Sequence, residues 1–205
     1  MIETTPAKNG SLVVREDGRW LASAFDPQSE ARTWLARRKE FLDKVKYVFV
    51  LGAGAGYHIH ALSAQTDAGI VVIDVRKDLI ETVRGLHAFD SDRVKFECVD
   101  STRQLRAADS VRTAVAQSFV VLQHGPSQAI NPSLFRDLHA QLLGRDWGAL
   151  NWQWKMMGFS TLESQPQIQK GGEALTILDL EQTELIQDSS ERERMLIKAL
   201  RELVK

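Results

Sequence analysis

Four apolar runs divide the middle of this chain, and a stretch of helical character follows each. The runs are YVFVL from Tyr47, GIVVID from Gly69, VKFECV from Val94 and SFVVLQH from Ser118. Continuous apolar runs suit strands covered on both faces, where no side of the strand meets water. The intervening segments have helical patterns: about Gly56 to Gln65, RKDLIETVRGLHAF, TRQLRAADSVRTAV and NPSLFRDLHAQLLGR. In the last of these, Asn131 can cap the helix and Pro132 fits its first position. Four strands alternating with four helices imply an open, mostly parallel sheet joined by right-handed crossovers.

The flanks read differently. SLVVREDGRWLASAF, residues 11–25, alternates around Asp17-Gly18, a pair suited to a type I′ turn because both central residues need positive φ. Asp26 can cap a following helix, with Pro27 at its first position and Glu30 near its positive end. Trp34, Leu35, Phe41 and Leu42 would form its apolar stripe. Residues 1–45 are therefore read as a hairpin and helix packed on a core domain of residues 46–205. DWGALNWQWKMMGFS, after Gly144, is rich in Trp and Met without a clean period. Trp147, Trp152, Trp154, Met156, Met157 and Phe159 can line a pocket, meet a protein partner or second copy, or lie as a lid on the sheet. Further on, ALTILDL reads as a strand and SSERERMLIKALRELVK as an amphipathic helix.

A chain of 205 residues is enough for one ordinary domain with an added flap. A net charge of −1 argues against a nucleic-acid partner, which calls for a basic face. No apolar run reaches the ~20 residues needed to span a bilayer, and MIETTPAKNG has no signal-peptide pattern. With one cysteine, Cys98, no internal disulfide can form, and a cytoplasmic location is expected. Cys98 itself reads as a small core residue.

Gly52, Gly54 and Gly56 stand where the first strand passes into the first helix. Glycine there allows positive φ and close approach to the backbone, and a helix start offers unpaired N–H groups to an anion. A dinucleotide fingerprint needs its third small residue at position 57, which is Tyr57. Asp74 ends the second strand about twenty residues on, where a carboxylate can accept both hydroxyls of a ribose. Asp100 ends the third strand. Residue types and spacing leave two readings open: a cofactor cradle, or only the turn such a sheet needs.

The G-x-G-x-G spacing resembles the first motif of class I S-adenosylmethionine-dependent methyltransferases. That resemblance implies a three-layer α/β/α Rossmann-like fold with S-adenosylmethionine at the turn. Gly52, Gly54 and Gly56 would then meet the methionine part, Asp74 the ribose and Asp100 the adenine, with Tyr57 beside them. Two departures weigh against methyl transfer. Val50 stands where that class carries an acid two residues before the first glycine, and QHGPS, from Gln123, replaces a D/N-P-P-Y/F type motif. His124 within it is a candidate general base.

LASAFDPQSEA, residues 21–31, and VFVLGAGAGYHIHAL, residues 48–62, followed by VVIDV, resemble the N-terminal domain of bacterial motility accessory factors, proteins linked to flagellin glycosylation. Tyr57-His58 after the glycines belongs to that resemblance. It covers residues 11–145 and implies a methyltransferase-like module binding a nucleotide or nucleotide-sugar, without the central domain to which the family's glycosyltransferase chemistry is assigned. Other chemistries find little support. His58 and His60 are two apart and point to different sides of a helix, so they make no metal pair. Ser127 lacks a G-x-S-x-G elbow, and the turn lacks the Lys-Ser/Thr ending of a P-loop.

Overall fold

The computed structural model describes residues 1–159. The chain opens with three strands, β1 (Ile2–Pro6), β2 (Leu12–Glu16) and β3 (Arg19–Trp20), then helix α1 (Pro27–Ala36). The alternating region follows: β4 (Tyr47–Leu51), α2 (Tyr57–Ser63), β5 (Gly69–Asp74), α3 (Lys77–Leu86) and β6 (Val94–Cys98). It continues through α4 (Thr102–Ala107), α5 (Asp109–Val115), β7 (Phe119–Gln123), α6 (Gly125–Gln128), α7 (Pro132–Leu142) and α8 (Trp147–Met156).

β4 to β7 form a parallel sheet in the order β6-β5-β4-β7. The chain steps outward from β4 through β5 to β6, then returns to the other side of β4. That reversal places a crevice between the carboxyl ends of β4 and β7, where ligands enter open α/β sheets. Alternate residues feed two cores, as the period of two requires. Val48, Val50, Ile70 and Val72 pack with residues of α1, α2, α3 and the N-terminal sheet, including Val13 and Val14, and with Leu21 just after it. Phe49, Leu51, Val71 and Ile73 pack with α4, α5 and α7, including Leu105, Val111 and Leu138. The fold is the expected three-layer, Rossmann-like α/β/α arrangement with an N-terminal antiparallel hairpin.

The turn residues behave as their chemistry dictates. Asp17 and Gly18 have φ of 48° and 79°, as a type I′ turn needs. The Asp26 carboxylate accepts from the N–H groups of Gln28 and Ser29 at the start of α1, and Asn131 accepts from Leu134 N.

Other details depart from the sequence reading. β1 extends the hairpin to three strands, pairing antiparallel with β2. Its side chains are mostly exposed, so it has no apolar signature; backbone pairing defines it. α1 stops at Ala36, and a 3-10 turn over Lys39–Phe41 leaves Phe41 exposed while Leu42 is buried. The helix expected over 102–115 is broken at Ala108, whose ψ is 124°. In one continuous helix Leu105 and Val111 would point about 120° apart; the break turns both into the same core. Cys98 is exposed, because it ends the outer strand of the sheet. Residues 147–156 are helical after all, with Asp146 capping α8 by accepting from Ala149 N at 2.7 Å. Ala149 and Gln153 are buried, and Trp152 and Met156 pack on the core. This stripe is hidden in the sequence because Leu150, Met157 and Phe159 are also apolar yet exposed. The strand expected at ALTILDL and the helix expected from Ser189 lie outside the described residues. Among the described residues no helix is long and apolar enough to cross a membrane.

Candidate functional site

The glycine turn lies at the mouth of the β4–β7 crevice, and all three glycines have positive φ: 103° at Gly52, 54° at Gly54 and 84° at Gly56. Backbone conformation alone therefore demands glycine. Space demands it as well, and protein side chains fill that space. A Cβ on Gly54 would stand 2.5 Å from His124 Cε1 and 3.0 Å from His58 Cε1. A Cβ on Gly56 would meet His87 Cδ2 at 2.5 Å, and one on Gly52 would collide with Ser127.

Histidines also satisfy the turn's carbonyls. His58 Nε2 donates to Gly52 O at 3.1 Å, and His87 Nε2 donates to Ala55 O at 2.7 Å, since a carbonyl can only accept. Both rings are thereby fixed as Nε2–H tautomers when neutral. His124 stacks on His58 with ring centroids 4.0 Å apart and 3° between planes. His124 Nδ1 lies 2.8 Å from Ser127 Oγ, within the single turn of α6. Trp34 meets His58 edge-on at 5.2 Å and donates from Nε1 to Gln123 O at 3.2 Å, tying α1 to the tip of β7.

Burial sets the protonation of this group. His124 is 5% exposed and its pKa is pushed down to about 4, first by burial and then by the Arg38 and Arg76 charges. His58 falls well below the ordinary range, again from burial and then from His124 beside it. His87 is lowered by burial. At neutral pH these are uncharged rings holding a turn. His124 is thus a weak base whose Nδ1 faces the Ser127 hydroxyl.

Asp74 is fully buried at the tip of β5. Its carboxylate accepts five hydrogen bonds. Ala53 N, from the glycine turn, donates to Oδ2 at 2.7 Å, and Val75 N donates to Oδ1 at 2.8 Å. Arg76 N donates to Oδ1 as well, at 3.2 Å. The Arg76 side chain then grips both oxygens, Nε to Oδ1 at 2.7 Å and Nη2 to Oδ2 at 2.8 Å. Its remaining nitrogen, Nη1, pairs with Glu16 at the end of β2. Tyr57 donates its hydroxyl to Leu12 O at 2.7 Å, at the other end of β2. Burial raises that phenol's pKa. Asp100 is exposed just beyond β6; its backbone N–H donates to Gln104 Oε1 at 2.9 Å.

The structure thus gathers Gly52, Gly54, Gly56, Tyr57, Asp74 and His124 at one end of the sheet. It adds His58, His87, Ser127, Arg76 and Glu16, which the sequence reading did not assign to a site. His58 stands in the resembling stretch of residues 48–62 without an assigned role, while Glu16 and His87 reach the turn only through the tertiary fold. Among the described residues, a cavity of about 60 Å³ is bordered by Pro27, Trp34, Tyr57, His58, His124 and Pro126. That is well below the ~300 Å³ at which small-molecule pockets begin. A cavity of about 330 Å³ lies at the opposite end of the strands, beside Tyr47, Gly69, Arg93, Lys95 and Ser110. Among the described residues no cluster of three His, Cys, Asp or Glu could hold a metal ion.

No protein-family model matches the chain, and no curated protein matches it significantly. Among solved structures it is similar to a spermidine synthase in complex with the transition-state analogue AdoDATO. The two share 14% identity at a TM-score of 0.47, over 77% of this chain and 60% of that one. It is also similar to the [4+2]-cyclase SpnF, with 25% identity and a TM-score of 0.30, over 36% of this chain and 28% of that one. The chain therefore spans 60% of the length of the spermidine synthase it matches.

Proposed function

We propose that this chain is a Rossmann-like module of the motility-accessory-factor type, serving surface-glycan or flagellin glycosylation in a bacterial cytoplasm as a structural and docking unit. Its strand tips hold its own side chains where a cofactor could otherwise lie. The observation that carries this is the filling of the glycine turn by His58, His87 and His124. A further support is where the two resembling stretches meet. Residues 21–31 and 48–62 supply Pro27, Tyr57 and His58, which border one small cavity with His124 and Pro126. The exposed Leu150, Met157 and Phe159 at α8 are a candidate contact for a protein partner or a second copy.

A second reading, an S-adenosylmethionine-dependent methyltransferase with a small acceptor, is favoured by one observation. Asp74 stands at the tip of β5 and already takes a hydrogen bond from the glycine turn. It requires Arg76 to leave Asp74, and His124 to leave the face of Gly54.

The test is thermal unfolding with ~1 mM S-adenosylmethionine, S-adenosylhomocysteine, NAD or CMP in parallel. A ligand at 100 times its Kd adds ~2.7 kcal/mol, raising the midpoint of a domain this size by roughly 5–10 °C. The proposed module gives no rise with the S-adenosyl compounds. A rise with them alone overturns it in favour of the methyltransferase; a rise with CMP alone makes it a nucleotide-binding module at that end of the sheet.

A further inference from the structure

We infer that Arg76 is a built-in substitute for the vicinal diol of a nucleoside: it occupies Asp74 as a ribose would, and Glu16 of the hairpin latches it there. This rests on the reading of the strand tips as filled by the chain's own side chains, and adds what would open them. Asp74 has the position, at a parallel-strand tip beside the glycine turn, from which a carboxylate accepts neighbouring ribose hydroxyls. One of its oxygens is oriented by Ala53 N at 2.7 Å. The other, Oδ1, accepts from Val75 N at 2.8 Å and Arg76 N at 3.2 Å, and the Arg76 guanidinium adds one side-chain donor to each oxygen, Nε to Oδ1 at 2.7 Å and Nη2 to Oδ2 at 2.8 Å. Two parallel donors from a planar fork satisfy a carboxylate in the same sense as two adjacent hydroxyls. A diol and this guanidinium therefore compete for the same atoms.

The latch can move without unravelling the fold. Arg76 precedes α3 with extended backbone, φ −112° and ψ 106°, so rotation about its side-chain bonds alone would free Asp74. Glu16 ends β2, next to the Asp17-Gly18 turn. The Arg76 and Glu16 side chains keep 9% and 12% exposure, so the pair lies just beneath the surface rather than deep in the core. The other end of β2 is fastened separately, by Tyr57 to Leu12 O. The hairpin sheet thus stays attached when the Glu16 contact is lost.

Adenosine and its dideoxy analogue, titrated calorimetrically, test this. Arg76→Ala, shown folded by circular dichroism, is expected to bind adenosine roughly tenfold or more tightly than the wild type. The dideoxy analogue shows no such gain, and adding Asp74→Asn abolishes it. An ion pair that serves stability alone gives a less stable variant with unchanged adenosine affinity, and that result overturns the inference. Where Arg76→Ala fails to fold, Glu16→Gln takes its place. It leaves the Asp74–Arg76 pair intact and is expected to tighten adenosine about threefold; unchanged affinity overturns the latch. Tight wild-type binding that tightens further in Arg76→Ala overturns only the filled-tip reading, whereas tight wild-type binding with no gain overturns both.

Discussion

Acidification from pH 7 to pH 5 should cost this fold about 2 kcal/mol through His124 alone. Its folded pKa is about 4, against an ordinary 6.5. Above 6.5 the ring is neutral in both folded and unfolded chains, and pH has no effect through it. Between 6.5 and about 4 the unfolded chain takes up a proton that the folded chain refuses, so stability falls as pH falls. Each pH unit in that window is worth ~1.4 kcal/mol, and pH 5 lies about one and a half units into it. Below about 4 the contribution levels off, because both states are then protonated. His58, lowered in the same direction by burial, adds to the slope. Urea unfolding at pH 7, 6 and 5 measures this directly, with the midpoint moving at constant m. His124→Gln should flatten the curve by about that amount while lowering stability at pH 7 through loss of the stacked ring. Equal wild-type stability at pH 7 and pH 5, or a variant with the wild-type slope, would refute the burial of neutral imidazoles.

The remaining predictions concern packing and access. Gly54→Ala adds a Cβ 2.5 Å from His124 Cε1 at a φ of 54° and should cost roughly 2–4 kcal/mol, combining left-handed strain with overpacking; wild-type stability in urea would contradict the described turn. Gly18→Ala, at a φ of 79°, meets only the conformational penalty and should cost about 1 kcal/mol. Phe49→Ala empties a fully buried site between β4 and the α4–α7 face and should cost about 3–5 kcal/mol, seen as a lower midpoint in thermal unfolding. Cys98, exposed and with its thiol pKa raised by burial of its neighbourhood and by Asp74, should react with a maleimide in the native protein, more slowly than a free thiol; complete protection would place it in the core.

How much of this was legible in the sequence depended on whether the signal was local. The inner strands β4 and β5 announced themselves because both of their faces are buried, the outer β6 and β7 by apolar runs that are only partly covered, and Asp26, Asn131 and Asp17-Gly18 acted through neighbours only one to three residues away. β1 was invisible because pairing with β2, not burial, defines it. The break at Ala108 follows from a phase mismatch between Leu105 and Val111 that matters only once both face one core. At the site, the glycines and Asp74 could be placed at the strand tips, but not their company. Whether a positive-φ glycine faces a ligand or an imidazole is decided by groups distant in sequence, such as His124 against Gly54. The contact between Arg76 and Glu16 joins residues sixty positions apart, beyond any spacing rule.

The central claim is that the glycine turn holds the chain's own histidines. It is tested most directly by long-range ¹H–¹⁵N NMR of the imidazole nitrogens, at pH 7 and pH 5, with and without S-adenosylhomocysteine. The account predicts that His58 and His124 are neutral at pH 7, that His124 stays largely so in the folded protein at pH 5, that both show mutual ring-current shifts, and that both are unmoved by the ligand. Rings that titrate near 6.5, or that shift on adding S-adenosylhomocysteine, would contradict it and mark the turn as a working cradle.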